Sequence, residues 1–154
     1  MIAVPQAAVD LAKRFEGFHR VPKSDPTRAY PYICPAGYWT IGYGHLCTPD
    51  HPAITEVEAE EYLAIDLQQA LRATLRYCPV LATEPEGRLA AIVDFTFNLG
   101  AGRLQTSTLR RRVNQRDWVA AGAELRRWVL GSGVVLHGLV ARREAERHLI
   151  FNEA

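Results

Sequence analysis

Cysteine is scarce in this chain, with only Cys34, Cys47 and Cys78 among its 154 residues. The odd number and wide spacing match neither a full disulfide framework nor a zinc site, which uses closely spaced pairs of ligands. A few unpaired cysteines are typical of a protein made in a reducing compartment. We therefore expect no metal site and no cofactor.

Long apolar runs are also absent. No stretch approaches the roughly 20 residues that a helix needs to cross a bilayer. The first residues include Asp10 and lack the cationic start and apolar run of an export signal. These absences predict synthesis in the cytoplasm without stable membrane insertion. No internal repeat or low-complexity segment occurs, so a length of 154 residues predicts one domain with its own core.

Neither positive nor negative side chains predominate, since the formal net charge is only +1. The two parts of the chain nevertheless differ: residues 1–100 have 8 basic and 12 acidic side chains, whereas residues 101–154 have 10 and 5. The basic part fits an anionic partner such as nucleic acid, a membrane surface or a cell-wall polymer. Alternatively, these basic side chains simply lie on solvated helix faces and bind no partner. The hydrophobic content of 48% is that of an ordinary globular protein.

The amino-terminal end has the apolar spacing of a helix. Apolar residues recur every three or four positions and predict a helix over residues 1–15, with a stop at Gly17. These residues are Val4, Ala8, Leu11, Phe15 and Phe18. The segment 19–29 is rich in turn-forming residues and is predicted to be a loop.

A short hairpin is predicted next. Residues 30–43 are rich in aromatic and β-branched side chains, and Pro35-Ala36-Gly37 interrupts them as a three-residue loop. In that register Cys34 pairs with Tyr38. Because side chains alternate along a strand, Cys34 and Thr40 then share one face of the hairpin.

The rest of the chain is predicted to be helical. A capping box at Thr55-Glu56-Val57-Glu58 opens a helix over residues 56–77. The apolar face of this helix is predicted to contain Val57, Leu63, Leu67, Leu71 and Leu75. A second start signal at Thr83-Glu84-Pro85-Glu86 precedes an apolar segment, 89–97, which predicts a buried central helix ending at Gly100 and Gly102. Further helices are predicted at 107–114, 117–130 and 139–151.

These elements predict an α+β fold that is mostly α. A small lobe over about 16–55 carries the β-hairpin. A helical lobe comprises about 78–154 plus helix 1–15, and helix 56–77 joins the two lobes.

Glu16 is the strongest candidate for chemistry. Most glutamates lie on solvated helix faces, but Glu16 ends the first helix between Phe15 and Phe18. An acid against apolar surface is harder to ionise, which predicts a pKa above the ordinary value of about 4.3. A carboxyl group that keeps its proton can act as the general acid in a hydrolysis.

The run Gly37-Tyr38-Trp39-Thr40-Ile41-Gly42-Tyr43-Gly44-His45 resembles the G-x-[WY]-T-I-G-x-G-H stretch of the phage-type lysozymes, glycoside hydrolase family 24. In that family a catalytic Glu is followed by an Asp, or a Cys in some members, and six residues later by a Thr. Glu16, Cys34 and Thr40 occupy these positions. The resemblance covers about residues 8–151, because matching segments also lie at 94–100, 107–109 and 128–147.

This resemblance implies a lysozyme-like fold and an endolysin-like muramidase. Such an enzyme hydrolyses the β-1,4 bond between N-acetylmuramic acid and N-acetylglucosamine in peptidoglycan, for host lysis. The implied catalytic residues are Glu16 as the acid, Cys34, and Thr40 as the residue that positions water. The residues implied to contact the glycan strand are Gly44, His45, Leu46, Phe97, Asn98 and Thr108.

For His45 we favour a structural pairing with an acid on helix 56–77, such as Asp66. We further expect a monomer that does not bind nucleic acid. Because no export signal or anchor is recognised, we expect accumulation in the host cytoplasm, and the resemblance implies release to the periplasm by a separate pore-forming protein.

Cys34 departs from the usual carboxylate. Most free cysteines are small buried hydrophobes, and an ordinary thiol with a pKa of about 8.5 is only slightly ionised at neutral pH. As a thiolate, Cys34 either acts as a base toward water, which we favour, or attacks the anomeric carbon directly. Cys34 also lies eighteen positions after Glu16, so the loop at 19–29 is expanded relative to short family members.

Three further hypotheses remain open. Cys47 is close enough in sequence to Cys34 to suggest a disulfide that masks the active thiol. The substitution at Cys34 suggests a catalytically silent wall-binding module. The arginine-rich part suggests a cationic protein that binds membranes or nucleic acid, although its arginines fall in separate helices and match no nucleic-acid motif.

Overall fold

The computed structural model describes residues 1–18 and 22–152, and most of these residues are helical, as predicted. The amino-terminal elements are α1 (Gln6–Glu16), β1 (Arg28–Ala29), β2 (Tyr32–Ile33), β3 (Trp39–Ile41), β4 (His45–Leu46), β5 (Ile54–Thr55) and α2 (Glu56–Tyr77). The carboxyl-terminal elements are a 3-10 helix (Pro79–Thr83), α3 (Glu86–Leu99), α4 (Ala101–Gln105), α5 (Thr108–Asn114), α6 (Trp118–Leu125), β6 (Leu130–Gly131), β7 (Val134–Val135) and α7 (His137–Phe151).

The predicted hairpin is confirmed and extends to a third strand. Strands β2, β3 and β4 form an antiparallel sheet in that order, with Tyr32 opposite Thr40 and Thr40 opposite Leu46. The Cys34 amide donates to the Tyr38 carbonyl at 2.9 Å, which closes the three-residue loop. Gly37, the last loop residue, has a φ of 90°, which an L side chain rarely adopts.

The predicted loop at 19–29 is partly wrong. Its residues 19–21 lie outside the described residues. At its end β1 pairs antiparallel with β5, with Ala29 opposite Ile54. Ala29 and Ile54 are both buried, so this short pairing attaches the segment to the start of α2.

The capping box that opens α2 is confirmed. The Thr55 hydroxyl accepts from the Glu58 amide at 3.2 Å, and the Glu58 carboxylate accepts from the Thr55 amide at 3.2 Å. The apolar face is only partly as predicted, because Val57 is 65% exposed in the first turn. The buried face instead begins at Ala59 and continues through Leu63, Leu67 and Leu71.

Three predicted boundaries in the carboxyl-terminal part are wrong. Thr83 does not cap α3, because it ends the 3-10 helix and Pro85 occupies the N-cap position. Gly100, with a φ of 96°, ends α3 alone, and Gly102 belongs to α4. The helix predicted over 117–130 ends at Leu125, because residues 130–135 form the β6–β7 hairpin.

Helix α3 lies at the centre of the core, as predicted for an all-round apolar segment. It packs against α1, α2 and α7, and every residue from Leu89 to Thr96 is buried. Asp94 is the one ionisable group in that buried stretch. Within the described residues, no helix combines the length and the apolar content needed to cross a membrane. The division into two lobes stays a prediction.

Candidate active site

Glu16 lies at the last position of α1, next to the turn that leads into β4. A Cβ atom added to Gly44 would lie 2.9 Å from both the Cδ and the Oε2 atoms of Glu16. Only a residue without a side chain therefore fits against this carboxylate. Gly44 also has a φ of 79°, so the backbone conformation and the close approach both require glycine.

The apolar surroundings predicted for Glu16 are wrong. Arg142 of α7 donates from Nη1 to Glu16 Oε1 at 2.9 Å. The side chain of Glu16 is 21% exposed, whereas that of Arg142 is only 4% exposed. The guanidinium also lies over the rings of Phe15 and Phe97, at 5.6 and 5.8 Å from their centroids. The carboxylate is thus held from the core side by a cation and remains open toward solvent.

Arg142 is itself held by Asp94. Its Nε and Nη2 atoms donate to the two carboxylate oxygens of Asp94 at 2.9 and 2.8 Å, a bidentate pair that joins α7 to α3. Burial lowers the pKa of Arg142, but Asp94 and Glu16 outweigh it and the pKa is raised from its ordinary value. Burial likewise raises the pKa of Asp94, but the bonds from Arg142 outweigh it and the pKa is lowered.

Cys34 and Thr40 lie together on one face of the three-stranded sheet, as the predicted register requires. Burial raises the pKa of the Cys34 thiol, but hydrogen bonds from the backbone of Tyr38, from Thr40 and from the loop residues 36–37 outweigh it and the pKa is lowered. The Thr40 hydroxyl also donates to the Tyr38 carbonyl at 2.9 Å. A hydroxyl has one hydrogen, so Thr40 donates to only one of these acceptors at a time.

The predicted disulfide between Cys34 and Cys47 is wrong. Both residues are free cysteines. Cys47 follows β4 and its amide donates to the Trp39 carbonyl, so β3 separates it from Cys34. Two strand spacings amount to about 9.6 Å, and side-chain alternation places the two thiols on opposite faces. A disulfide needs Cα atoms no more than about 7 Å apart.

His45 pairs with Asp66, as favoured from the sequence. The two side chains are 2.8 Å apart, from Nδ1 to Oδ2. The imidazole also stacks on the ring of Tyr62 at 4.4 Å between centroids. These contacts fix the start of β4 against α2, and therefore help to fix Gly44 beside Glu16.

The other residues predicted to contact the glycan strand lie on three elements. Leu46 is opposite Thr40 in the sheet and 66% exposed. Asn98, near the end of α3, accepts from Arg143 Nη2 at 2.9 Å through its Oδ1 atom, and its amide nitrogen has no partner among residues 1–18 and 22–152. Thr108, the first residue of α5, lines a cavity of about 480 Å³ together with Leu99 and Trp128.

The sequence analysis missed the ion pairs behind Glu16. Asp94 was the available signal, because an acid inside an apolar helix needs a buried cation. Its partner Arg142 lies 48 residues further along, a separation that local patterns do not reveal. Among the described residues, no group of three or more His, Cys, Asp or Glu side chains is arranged to hold a metal ion.

A family model described as phage lysozyme matches residues 13–146. The chain belongs to the phage lysozyme family. The segment that the family model matches begins before Glu16 and ends at Glu146, so it contains Gly44, the hairpin, Asp94 and Arg142. The resemblance noted in the sequence is thus confirmed.

Individual members of the family are similar along most of the chain. The endolysin of Bacillus phage B103 is 36% identical over 95% of this chain and 53% of its own length. The endolysin of Acyrthosiphon pisum secondary endosymbiont phage 1 is 33% identical over 95% and 96% of the two chains. The muramidase domain of SpmX from Asticaccaulis excentricus is 27% identical, with a TM-score of 0.80 over 99% of both chains. The chain spans about half the length of the Bacillus phage relatives.

Proposed function

We propose that this chain is an endolysin-like muramidase that hydrolyses the β-1,4 bond between N-acetylmuramic acid and N-acetylglucosamine in peptidoglycan. The proposal rests on the partly exposed carboxyl group of Glu16, which lies between Gly44 and Arg142. The chain that carries it belongs to the phage lysozyme family. The similarity to endolysins and to a muramidase domain supports the substrate and the bond.

In the proposed reaction Glu16 is the general acid. It gives its proton to the glycosidic oxygen as the bond to the anomeric carbon breaks. Arg142 fixes one carboxyl oxygen, Oε1, so the proton is carried by the Oε2 atom that faces Gly44.

Cys34 and Thr40 are proposed to activate water. A thiol whose pKa is lowered from its ordinary value forms the thiolate more readily, and a thiolate can take the proton from an attacking water molecule. While the Thr40 hydroxyl donates to the Tyr38 carbonyl, its lone pairs are free to accept from the same water. The two residues then supply the base and the orientation that a carboxylate and a threonine supply in other family members.

The glycan strand is proposed to lie across exposed and partly buried side chains around this centre. The exposed Leu46 and the partly buried Phe97 offer apolar surface, and the amide nitrogen of Asn98 offers a donor to a sugar or acetamido oxygen. Gly44 and His45 shape the turn between the sheet and Glu16. Thr108 extends the proposed contact to the cavity beside Trp128.

The alternative hypothesis, a cationic protein that binds membranes or nucleic acid, is weakened by the ion pairs of the arginine-rich residues 101–154. Arg142 and Arg143 are buried with acids, and Arg126 and Arg147 both bind Glu144. Arg110 donates to the Tyr77 and Gln105 carbonyls. Much of the positive charge is therefore neutralised or engaged within the fold. We propose a monomer that acts on the wall from the periplasm after synthesis in the host cytoplasm.

Loss of turbidity of chloroform-treated Gram-negative cells tests the proposed function. We expect the purified chain to clear the suspension. Cosedimentation with peptidoglycan without clearing would instead identify a silent wall-binding module.

Gly44→Ala is expected to lower kcat about 10²-fold, because the new methyl group displaces the Glu16 carboxyl from its place beside Arg142. Gly133→Ala, in the β6–β7 hairpin, is the matched control. Gly133 has a similar φ of 77°, but nothing lies within 4 Å of an added Cβ. It should bear the same backbone strain with little loss of kcat. Initial rates on purified peptidoglycan check this, and equal rates for the two variants would contradict the placement of Glu16.

The three cysteines should differ in the pH at which they are alkylated. The pKa of Cys34 is lowered, whereas burial raises the pKa of Cys47 and raises that of Cys78 to about 12. The thiolate is the form that reacts. Iodoacetamide labelling followed by mass spectrometry should therefore give the lowest midpoint for Cys34 and the highest for Cys78. A higher midpoint for Cys34 than for Cys47 would contradict the proposed thiolate.

A further inference from the structure

A second buried ion pair follows the first along α7. Arg143 Nη2 donates to Glu146 Oε2 at 2.9 Å, and Arg143 Nε lies 2.7 Å from Glu146 Oε1. Both side chains are fully buried, so the two oxygens of the acid hold one edge of the guanidinium in place. Because Arg143 is already paired with an acid, its remaining hydrogens are available to neutral acceptors.

The remaining hydrogens of Arg143 reach two neutral oxygens. Nη2 also donates to Asn98 Oδ1 at 2.9 Å, and Nη1 donates to the Trp128 carbonyl at 3.4 Å. A guanidinium carries only donors, so the end of the Asn98 amide that faces it must be the oxygen. The reverse orientation would place two N–H donors against each other and leave both without an acceptor, which is costly beside a buried charge. The buried pair of Arg143 and Glu146 therefore fixes the direction of the Asn98 amide.

The opposite end of this amide is a donor that the fold leaves available. Asn98 is partly exposed and Arg143 is fully buried, so the nitrogen Nδ2 lies on the outer side of the amide. Nothing in the described ranges 1–18 and 22–152 accepts a hydrogen bond from it. The ring of the preceding residue, Phe97, lies 5.8 Å from the guanidinium of Arg142, which binds Glu16. Two consecutive arginines of α7 thus hold the candidate acid and this donor.

We propose that Asn98 is a specificity-determining residue that donates to an amide carbonyl oxygen of peptidoglycan, and that the buried pair of Arg143 and Glu146 positions it for this bond. The inference rests on the proposed function, which supplies the substrate. Peptidoglycan carries such oxygens in the acetamido groups of its sugars and in its stem peptides. A donor whose direction is fixed binds a carbonyl oxygen and rejects a group that is itself a donor.

Two substitutions at Asn98 test the direction of the amide. Asn98→Leu removes the donor and should raise KM on peptidoglycan about 10-fold with kcat almost unchanged, the scale of one neutral hydrogen bond. Asn98→Asp keeps an oxygen for Arg143 but turns a second oxygen toward the carbonyl, and should raise KM about 100-fold. Asn152→Asp, the same change at the exposed C-cap of α7, is the matched control and should have no effect. A KM for Asn98→Asp no higher than that for Asn98→Leu would overturn the proposal.

Arg143→Met combined with Glu146→Leu tests the positioning role. This double variant removes the buried pair as a whole, a replacement that is often neutral for stability, and urea denaturation checks that it folds. The Asn98 amide is then free to turn, so KM should rise about 5-fold, the scale of ordering one side chain on binding. In the Asn98→Leu protein the same two changes should raise KM no further, because no amide is left to orient. An equal rise in that protein would assign the effect to packing and overturn the positioning role.

Binding measurements identify the acceptor without hydrolysis. Soluble glycan fragments are titrated into the Glu16→Gln protein, with and without Asn98→Asp, in three forms: native, de-N-acetylated and stripped of stem peptides. The loss of affinity caused by Asn98→Asp should disappear on de-N-acetylated fragments if the acceptor is an acetamido oxygen, and on stripped fragments if it belongs to a stem peptide. A loss that persists on both modified forms would overturn the proposal. A failure of the proposed function would be recognised separately, as no hydrolysis by the unsubstituted protein although Asn98→Asp weakens binding.

Discussion

Glu16→Gln is expected to lower the rate of peptidoglycan hydrolysis about 10³-fold, the scale of a lost general acid. The amide keeps the size of the side chain and can still accept from Arg142 Nη1 through its oxygen. It has no acidic proton for the glycosidic oxygen. The loss should therefore appear in kcat, with KM almost unchanged.

Glu60→Gln is the control for this change. Glu60 is an exposed acid of α2 that binds Lys13 at 2.9 Å, away from the proposed centre. It should clear chloroform-treated cells at the normal rate. Clearing by Glu16→Gln at the same rate as the unsubstituted protein would indicate membrane disruption and would contradict the role of Glu16. No clearing by any of the three proteins would favour a binding module.

Arg142→Met is expected to reduce the free energy of unfolding by about 3–5 kcal/mol, because it leaves the buried carboxylate of Asp94 without its cation. Urea denaturation measures this loss. The same variant should also lose most of its activity, since Glu16 loses the donor to Oε1. If Arg142→Met lost only about 1 kcal/mol of unfolding free energy, the result would contradict a buried pair, because a loss of that size is typical of an exposed ion pair.

Two further variants show whether the loss comes from the unpaired charge. Arg142→Met combined with Asp94→Leu removes both members of the pair and should regain much of the lost stability, since apolar replacement of a whole buried pair is often neutral. Arg126→Met removes a cation from an exposed pair with Glu144 and should change stability little. A double variant no more stable than Arg142→Met would show that packing, and not charge, causes the loss.

The predictable parts of the fold are those with strong local signals. The capping box at Thr55 fixed the start of α2, and the loop at Pro35-Ala36-Gly37 fixed the register that brings Cys34 beside Thr40. The β6–β7 hairpin was missed because each strand has only two residues, too few for a recognisable alternation. Its Leu130, Val134 and Val135 are also exposed, so they do not follow the usual relation between apolar character and burial.

The sequence predicted the candidate catalytic residues of the site but not the buried ion pairs that support them. Glu16, Cys34 and Thr40 follow from the family motif, and the pairing of His45 with Asp66 follows from the position of an acid on α2. The cation that holds Glu16 is Arg142 of α7, a helix that packs against α3 and lies far from Glu16 in the sequence. Long-range pairs of this kind are decided by packing, and one sequence shows no more than the need for a partner at Asp94.

The sugar at the newly formed reducing end tests the central claim most directly. Purified peptidoglycan is digested with the chain, reduced with borohydride and analysed by mass spectrometry. The account predicts reduced N-acetylmuramic acid at every new end. Reduced N-acetylglucosamine, or glycan strands of unchanged length, would contradict it.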